Sequence, residues 1–244
     1  MAKVQQIVVN EVYSTITGEG PNVGKPTVVV RLFGSNYVDR NDIRPFASNP
    51  DPEHRATNAR NILIDDLMEE INKTKGPKDR LLIVGGETML QQEAIVAFLE
   101  RFETWFNRKP FVELQTSGTI MPMERLIALV DHFSVALRLA NATNSNDRRA
   151  TVDGRIFPDI IKTFLATEKV SFITYLRNAG GIQEVEEIMA INAIPNDLMW
   201  VSYAPTNPME AKRAGVEIAK SCIAKSFNFS PRLHVSLFDA KRGF

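Results

Sequence analysis

An α/β fold with a mostly parallel sheet is what this sequence predicts, on two observations. Short runs rich in β-branched residues alternate with longer amphipathic segments, the pattern of βαβ units. Neither an internal repeat nor a low-complexity tract interrupts the alternation, so a solenoid or a fibrous chain is excluded. With 244 residues, 44% hydrophobic and 24% charged, the chain suits a single domain with a sizeable core.

The elements follow in order. Thr27–Phe33 (TVVVRLF) reads as a buried strand, because β-branched side chains suit a pleated, packed surface. Leu81–Val84 is a second strand and runs into Gly85-Gly86. Phe111–Leu114, Phe133–Leu139, Val170–Tyr175 and Met199–Tyr203 continue the series, and Arg232–Phe238 reads as a closing strand. Between them, Ala59–Lys73 carries Ile62, Leu63, Leu67 and Ile71 near helical spacing, and Leu90–Phe106 repeats the pattern. Met123–Val130, Gln183–Ile191 and Met209–Ala224 are the other predicted helices. Right-handed crossovers set the carboxyl ends of the strands at one rim, where ligands bind in such sheets. Residues 34–57 break the rhythm as a long polar loop with three prolines, directly after the first core strand.

Charge and cysteine content exclude several classes. The 29 basic and 29 acidic residues cancel, so no global field draws the chain to nucleic acid or to an anionic membrane. The single cysteine, Cys222, rules out an internal disulfide and suits a reducing compartment. The opening MAKVQQIVVNEVYS is not a secretory signal, and no apolar run reaches the ~20 residues that span a bilayer. A cytoplasmic protein is expected. No dinucleotide fingerprint, P-loop, metal-spaced histidines or G-x-S-x-G elbow is present.

Four segments carry more. Val12–Gly24 reads VYSTITGEGPNVG, and the strand TVVVRLF leads into Gly34-Ser35-Asn36. Gly85-Gly86-Glu87-Thr88 follows, and then Gln115-Thr116-Ser117-Gly118-Thr119. In order and spacing these resemble the 7-carboxy-7-deazaguanine synthase family, a compact branch of the radical-SAM enzymes in the 7-deazapurine (queuosine-type) pathway. The likeness reaches Leu233-His234 and the tail Lys241-Arg242-Gly243-Phe244, with Thr88 and Gln115 as departures. It implies a partial (β/α)₆ barrel.

The main departure lies in the cluster loop. The family places C-x₃-C-x₂-C after the first strand; here those positions hold Ser35, Asp39 and Asp42. Soft thiolates hold an iron–sulfur cluster, and hard oxygen donors replace them poorly. The sequence therefore predicts a chain with no cofactor: no cluster, no reductive cleavage of S-adenosylmethionine, and a lost Mg²⁺ ligand, since Ile43 and Arg44 follow Asp42 where the family has Asp-Thr. No metal site is expected.

What the resemblance retains is a cradle. Gly85, Gly86 and Glu87 match the segment that meets the amino group of S-adenosylmethionine, and Glu19 and Arg31 match residues that help bind a tetrahydropterin substrate. Thr116, Ser117 and Arg138 stand at the polar ends of strands beside them. The plainer reading makes Gly-Gly a turn and Glu19–Arg31 a structural pair. Three functions are open: an inactive homologue reused as a binding or interaction protein, a sensor or carrier of S-adenosylmethionine, a pterin or a deazapurine, and a residual enzyme. For the first, the partner is a protein docking on the 34–57 loop through Tyr37, Arg40, Arg44, Phe46 and His54, since arginine and aromatic residues anchor interfaces. Nucleic acid is the lesser alternative as partner, a homodimer is compatible with the sequence, and the family's occurrence in phages makes a viral copy conceivable.

Overall fold

The computed structural model describes residues 5–36, 59–139, 155–203 and 208–238. The chain begins with strand β1 (Gln6–Ile16), β2 (Pro26–Leu32), β3 (Arg60–Leu63), helix α1 (Ile64–Lys73) and β4 (Arg80–Gly85). A 3₁₀ turn (Thr88–Gln91) leads into α2 (Gln92–Phe106), β5 (Phe111–Thr116), α3 (Glu124–Leu129) and β6 (His132–Ala136). Then come α4 (Pro158–Ala166), β7 (Val170–Leu176), α5 (Ile182–Asn192), β8 (Met199–Tyr203), α6 (Pro208–Lys225), β9 (Asn228–Phe229) and α7 (Leu233–Phe238).

Among the described residues, nine strands form one sheet in the order β3-β1-β2-β4-β5-β6-β7-β8-β9. β3, β1 and β2 pair antiparallel, and every pairing from β2 to β9 is parallel, as the alternation of strands and helices predicts. The sheet is strongly curved. β2 and β9 stand six places apart, roughly 29 Å in a flat sheet at ~4.8 Å per strand. Yet the short turn after β1 touches the segment after β9: Gly20 N donates to Ser230 Oγ at 2.8 Å, and Leu233 N to Gly18 O at 2.9 Å. Such contacts need the parallel strands to curl toward closure, which is the partial barrel.

Alternation divides the side chains of the strands. Val28, Val30 and Leu32 face the helices with Leu81, Ile83, Val112 and Leu114 in the main core. Val29, Leu82 and Val84 form a small cluster on the opposite, inner face with Tyr13, and Ile173 and Tyr175 another with Trp200. β7 is buried along its whole length, as a central strand covered on both sides must be.

Two predicted elements are corrected. Arg60–Leu63 is a strand and not the start of a helix: it pairs antiparallel with Gln6–Val9, and the helix begins at Ile64, whose face Ile64, Leu67, Met68 and Ile71 is buried. Leu233–Phe238 is a helix and not the closing strand; Ser236 N donates to Arg232 O, while Asn228–Phe229 takes the edge beside β8. The Leu-x-Val-x-Leu alternation there imitates a strand, but Leu233 N is already bonded to Gly18 O, away from any ladder. Among the described residues, no helix is long and apolar enough to cross a membrane.

Gly85 and Gly86 set the close passage that positions the site. A Cβ on Gly85 would stand 2.5 Å from Leu32 O, and one on Gly86 would overlap Gly34 O and lie 2.9 Å from the Ser35 Cβ. Glu87 N donates to the same Gly34 O at 2.9 Å. Gly86→Ala is expected to cost about 3 kcal/mol, because backbone cannot yield as a side-chain tip can. Urea denaturation checks it; a loss below ~1 kcal/mol would show that the two segments separate freely.

Candidate functional site

The carboxyl ends of β4 and β5 meet at Glu87, which is 1% exposed. Its Oε1 accepts from Thr116 Oγ1 at 2.7 Å and from Met89 N at 3.0 Å. Its Oε2 accepts from Ser117 N at 3.0 Å, from Thr119 Oγ1 at 3.2 Å and from Ser117 Oγ. Thr88 Oγ1 donates to Gln115 O at 2.6 Å and ties the same two strand ends again. Gly85, Gly86, Glu87, Thr116 and Ser117 thus come together at these strand ends, with Ser35 alongside. The carboxylate is fully occupied by its own chain, and in this state it caps the 3₁₀ turn.

A second carboxylate is held differently. Glu19 sits between Gly18 and Gly20 in the β1–β2 turn, 3% exposed. The turn is closed by Thr17 N to Lys25 O and Gly24 N to Thr17 O, both 2.8 Å, with Gly20 and Gly24 at positive φ. Glu19 Oε1 accepts from the Tyr175 hydroxyl at 2.8 Å, and Oε2 is buried with no hydrogen-bond partner. Burial pushes this carboxyl above the ordinary carboxylate range, against the pull of Arg232, Tyr175 and the Gln115 side chain. His234 packs on Gly18. Burial, with the charges of Arg232 and Arg31, drives its imidazole down to about 4, so it is neutral at pH 7.

Below Gln115 on the inner face of β5 lies a third acid, Glu113, also 3% exposed. Its Oε2 accepts from Asn22 Nδ2 at 2.9 Å, and Asn22 Oδ1 accepts from Arg80 Nη2 at 2.7 Å. Burial pushes the Glu113 carboxyl up to about 7; Asn22 and Arg80 lower it, and the nearby Glu19 charge raises it further.

Arg31 does not pair with Glu19 as the plainer sequence reading had it. Its Nε lies 3.2 Å from Glu11 Oε2, and Nη2 donates to the Tyr13 hydroxyl at 3.0 Å, both on β1. Arg138 is buried just past β6; its carbonyl accepts from Arg155, which pairs with Glu184 at 2.8 Å. Asp39 and Asp42, and the proposed partner contacts Tyr37, Arg40, Arg44, Phe46 and His54, lie outside the described residues. Sequence reasoning missed Tyr175, Arg232, Asn22 and Glu113. Glu113 carried a signal: an acid at an inward position of the apolar run FVELQT.

No family model matches the chain. Curated relatives do. The 7-carboxy-7-deazaguanine synthase of Pyrobaculum aerophilum is 24% identical over 247 residues, covering 100% of both chains. That of Hyperthermus butylicus is 26% identical and covers 92% of this chain and 90% of its own. That of Aquifex aeolicus is 32% identical over 47% of this chain and 46% of its own. Among solved structures, QueE from Escherichia coli superposes with a TM-score of 0.60 at 16% identity, covering 94% of this chain and 95% of that one, which shows the fold.

These matches correct the expectation of a chain without cofactors. Its relatives are radical-SAM synthases, which work with an iron–sulfur cluster, S-adenosylmethionine and Mg²⁺, so those groups are the ones to test here. The donor set is a separate matter. The sequence holds one cysteine, and Cys222 is buried in α6, its thiol pushed up to about 11 by burial. The family's three-thiolate ligation does not fit these residues, and no chemical step is derived through it. Among the described residues, no group of three His, Cys, Asp or Glu side chains could hold a metal ion. By full-length similarity and by fold, the chain is a divergent homologue of the 7-carboxy-7-deazaguanine synthases.

Proposed function

We propose that this homologue acts as a binding protein, one that takes a pterin- or deazapurine-type heterocycle against Glu19. The carrying observation is the Glu19 Oε2 atom, buried and without a hydrogen-bond partner, in a barrel interior that also presents Tyr175 and Gln115. A buried acceptor left unmade costs about 1–3 kcal/mol, and a ligand bringing a donor removes that cost. The 2-amino-4-oxopyrimidine edge of a pterin or a deazaguanine carries adjacent N–H groups, which one carboxylate can accept together. The neutral His234 adds a ring nitrogen beside the same turn without adding charge. In this reading the Glu87 network supports the rim and does not itself contact the ligand.

The test is thermal unfolding with 6-carboxytetrahydropterin and with S-adenosylmethionine, before and after anaerobic iron–sulfur reconstitution. Saturating pterin is expected to raise the unfolding midpoint, by about 2.7 kcal/mol of stabilisation at a hundredfold excess over Kd. No shift at millimolar pterin overturns the reading. Stoichiometric iron together with cleavage of S-adenosylmethionine overturns the binding role in favour of an enzyme.

A further inference from the structure

The β1–β2 turn is held at two points by one strand. Gln115 and Glu113 lie two residues apart on β5 and face the same side. Gln115 addresses Glu19, and Glu113 addresses Asn22, three residues further along the turn. The Asn22 side chain is spent on both sides, donating to Glu113 at 2.9 Å and accepting from Arg80 at 2.7 Å. Arg80 is itself fixed, its guanidinium 4.0 Å above the Phe111 ring. From the other side the turn is bonded to the segment after β9 through Ser230 and Leu233, and Glu19 to the Tyr175 hydroxyl of β7. The Glu113–Asn22–Arg80 chain therefore fixes the tip of the turn from within the barrel.

We infer that Glu113 is a positioning residue for the Glu19 site: through Asn22 it sets the turn that carries Glu19, and it places a second carboxyl inside the barrel near it. This rests on the pocket reading above and goes beyond it, since the residues of that reading do not include Glu113. The charged and titratable groups facing Glu113 are Glu19 from the turn, Arg80 from β4, and His132, its register neighbour on β6. Burial drives His132 down to about 4, and its Nε2 lies 2.8 Å from Ser171 Oγ, so it stays neutral. Between pH 6 and 8 the proton of Glu113 is thus the variable one, and the Glu19 carboxyl, itself raised by burial, lies near it. Burial holds Glu113 near 7, where a change of one pH unit redistributes its proton. A charged Glu113 opposes ionisation of Glu19, the form that accepts donors from a ligand.

The test follows side-chain carboxyl resonances of the ligand-free full chain by carbon NMR from pH 5 to 9, in the wild type and in Glu113→Gln. The glutamine keeps an acceptor for Asn22 and removes the charge. One carboxyl is expected to titrate near 7 and to be missing from the variant, and Glu19 is expected to titrate at lower pH in the variant. An unchanged Glu19 midpoint overturns the inference. Binding of 6-carboxytetrahydropterin supplies the second readout: Glu113→Gln is expected to match the wild type at pH 6, where Glu113 mostly keeps its proton, and to bind several-fold more tightly at pH 8.5, where the wild-type Glu113 charge opposes that of Glu19. Identical pH profiles of affinity overturn the inference even if both proteins bind. If neither binds while the Glu19 midpoint still moves, the coupling stands and the ligand reading fails. Should Glu113→Gln not fold, Asn22→Ala serves instead: loss of the Asn22 bond is expected to raise the Glu113 midpoint, and an unmoved midpoint overturns the inference.

Discussion

Glu87→Ala is expected to destabilise the fold by about 4 kcal/mol, one of the two largest effects any single substitution should have here. The carboxylate takes five hydrogen bonds, two on Oε1 and three on Oε2, from Thr116, Met89, Ser117 and Thr119. Removing it strands two backbone N–H groups and three hydroxyls at a site that is 1% exposed. Hydroxyls can turn toward one another, as the 3.2 Å approach of Ser117 Oγ and Thr119 Oγ1 already shows. The Met89 and Ser117 amides cannot, and buried unsatisfied donors cost about 1–3 kcal/mol each. Glu87→Gln separates charge from shape. Its amide nitrogen must face a donor on one side, so about half the loss is expected to remain. Urea denaturation at pH 7 reads both variants, and a loss below ~1 kcal/mol for Glu87→Ala would mean that the strand ends relax without their shared acceptor. The same result bears on function: a Glu87 that could be removed at little cost would be free for a ligand's amino group, as the sequence resemblance implies.

Much of the sheet was legible because its strands are apolar on both faces. Thr27–Phe33, Phe111–Leu114 and Val170–Tyr175 are all found, since a buried parallel strand has no other use for such runs. Edges were harder. Gln6–Ile16 alternates polar and apolar residues without a clean run, and its pairing with both β2 and β3 depends on Arg60–Leu63, distant in sequence. Arg60–Leu63 in turn looked helical because Ile62 and Leu63 happen to extend the face of Leu67 and Ile71. The helix Pro158–Ala166 went unassigned although Pro158 stands at its first turn, the position where proline fits best. The site divides along the same line. Gly85-Gly86-Glu87 and Thr116-Ser117 are local in sequence at two strand ends, so a motif exposes them. Tyr175 and Arg232 meet Glu19 only because the sheet curls, and no spacing along the chain encodes that approach. For Arg31, resemblance predicted a ligand contact, while the fold gives it Glu11 and Tyr13 on the neighbouring strand.

Glu19→Gln is expected to have two consequences that run in opposite directions. Glu19 is buried with one oxygen unpartnered, and burial raises its folded-state pKa above the unfolded value. A group of that kind lowers stability progressively as pH rises above its unfolded pKa, because the unfolded chain ionises first; the folded state is at no disadvantage below that pKa. The neutral glutamine escapes this, so the variant is expected to match the wild type near pH 4 and to exceed it by about 1 kcal/mol at pH 8. Ligand binding should move the other way. Exchanging a carboxylate that accepts two N–H donors for an amide that offers one acceptor and a clashing donor removes about 2 kcal/mol, roughly a thirtyfold weaker Kd for 6-carboxytetrahydropterin. Stability against pH and isothermal titration on the same preparation measure both. A variant that is less stable at pH 8 would show that Glu19 serves the fold through Tyr175 and Arg232, and the case for a ligand at its free oxygen would fall with it. A variant that is more stable yet still binds as tightly would keep the pocket and move the ligand away from Glu19. Only a gain in stability joined to a loss of binding fits a carboxylate kept buried, at a standing cost to the fold, for a partner that arrives from solution.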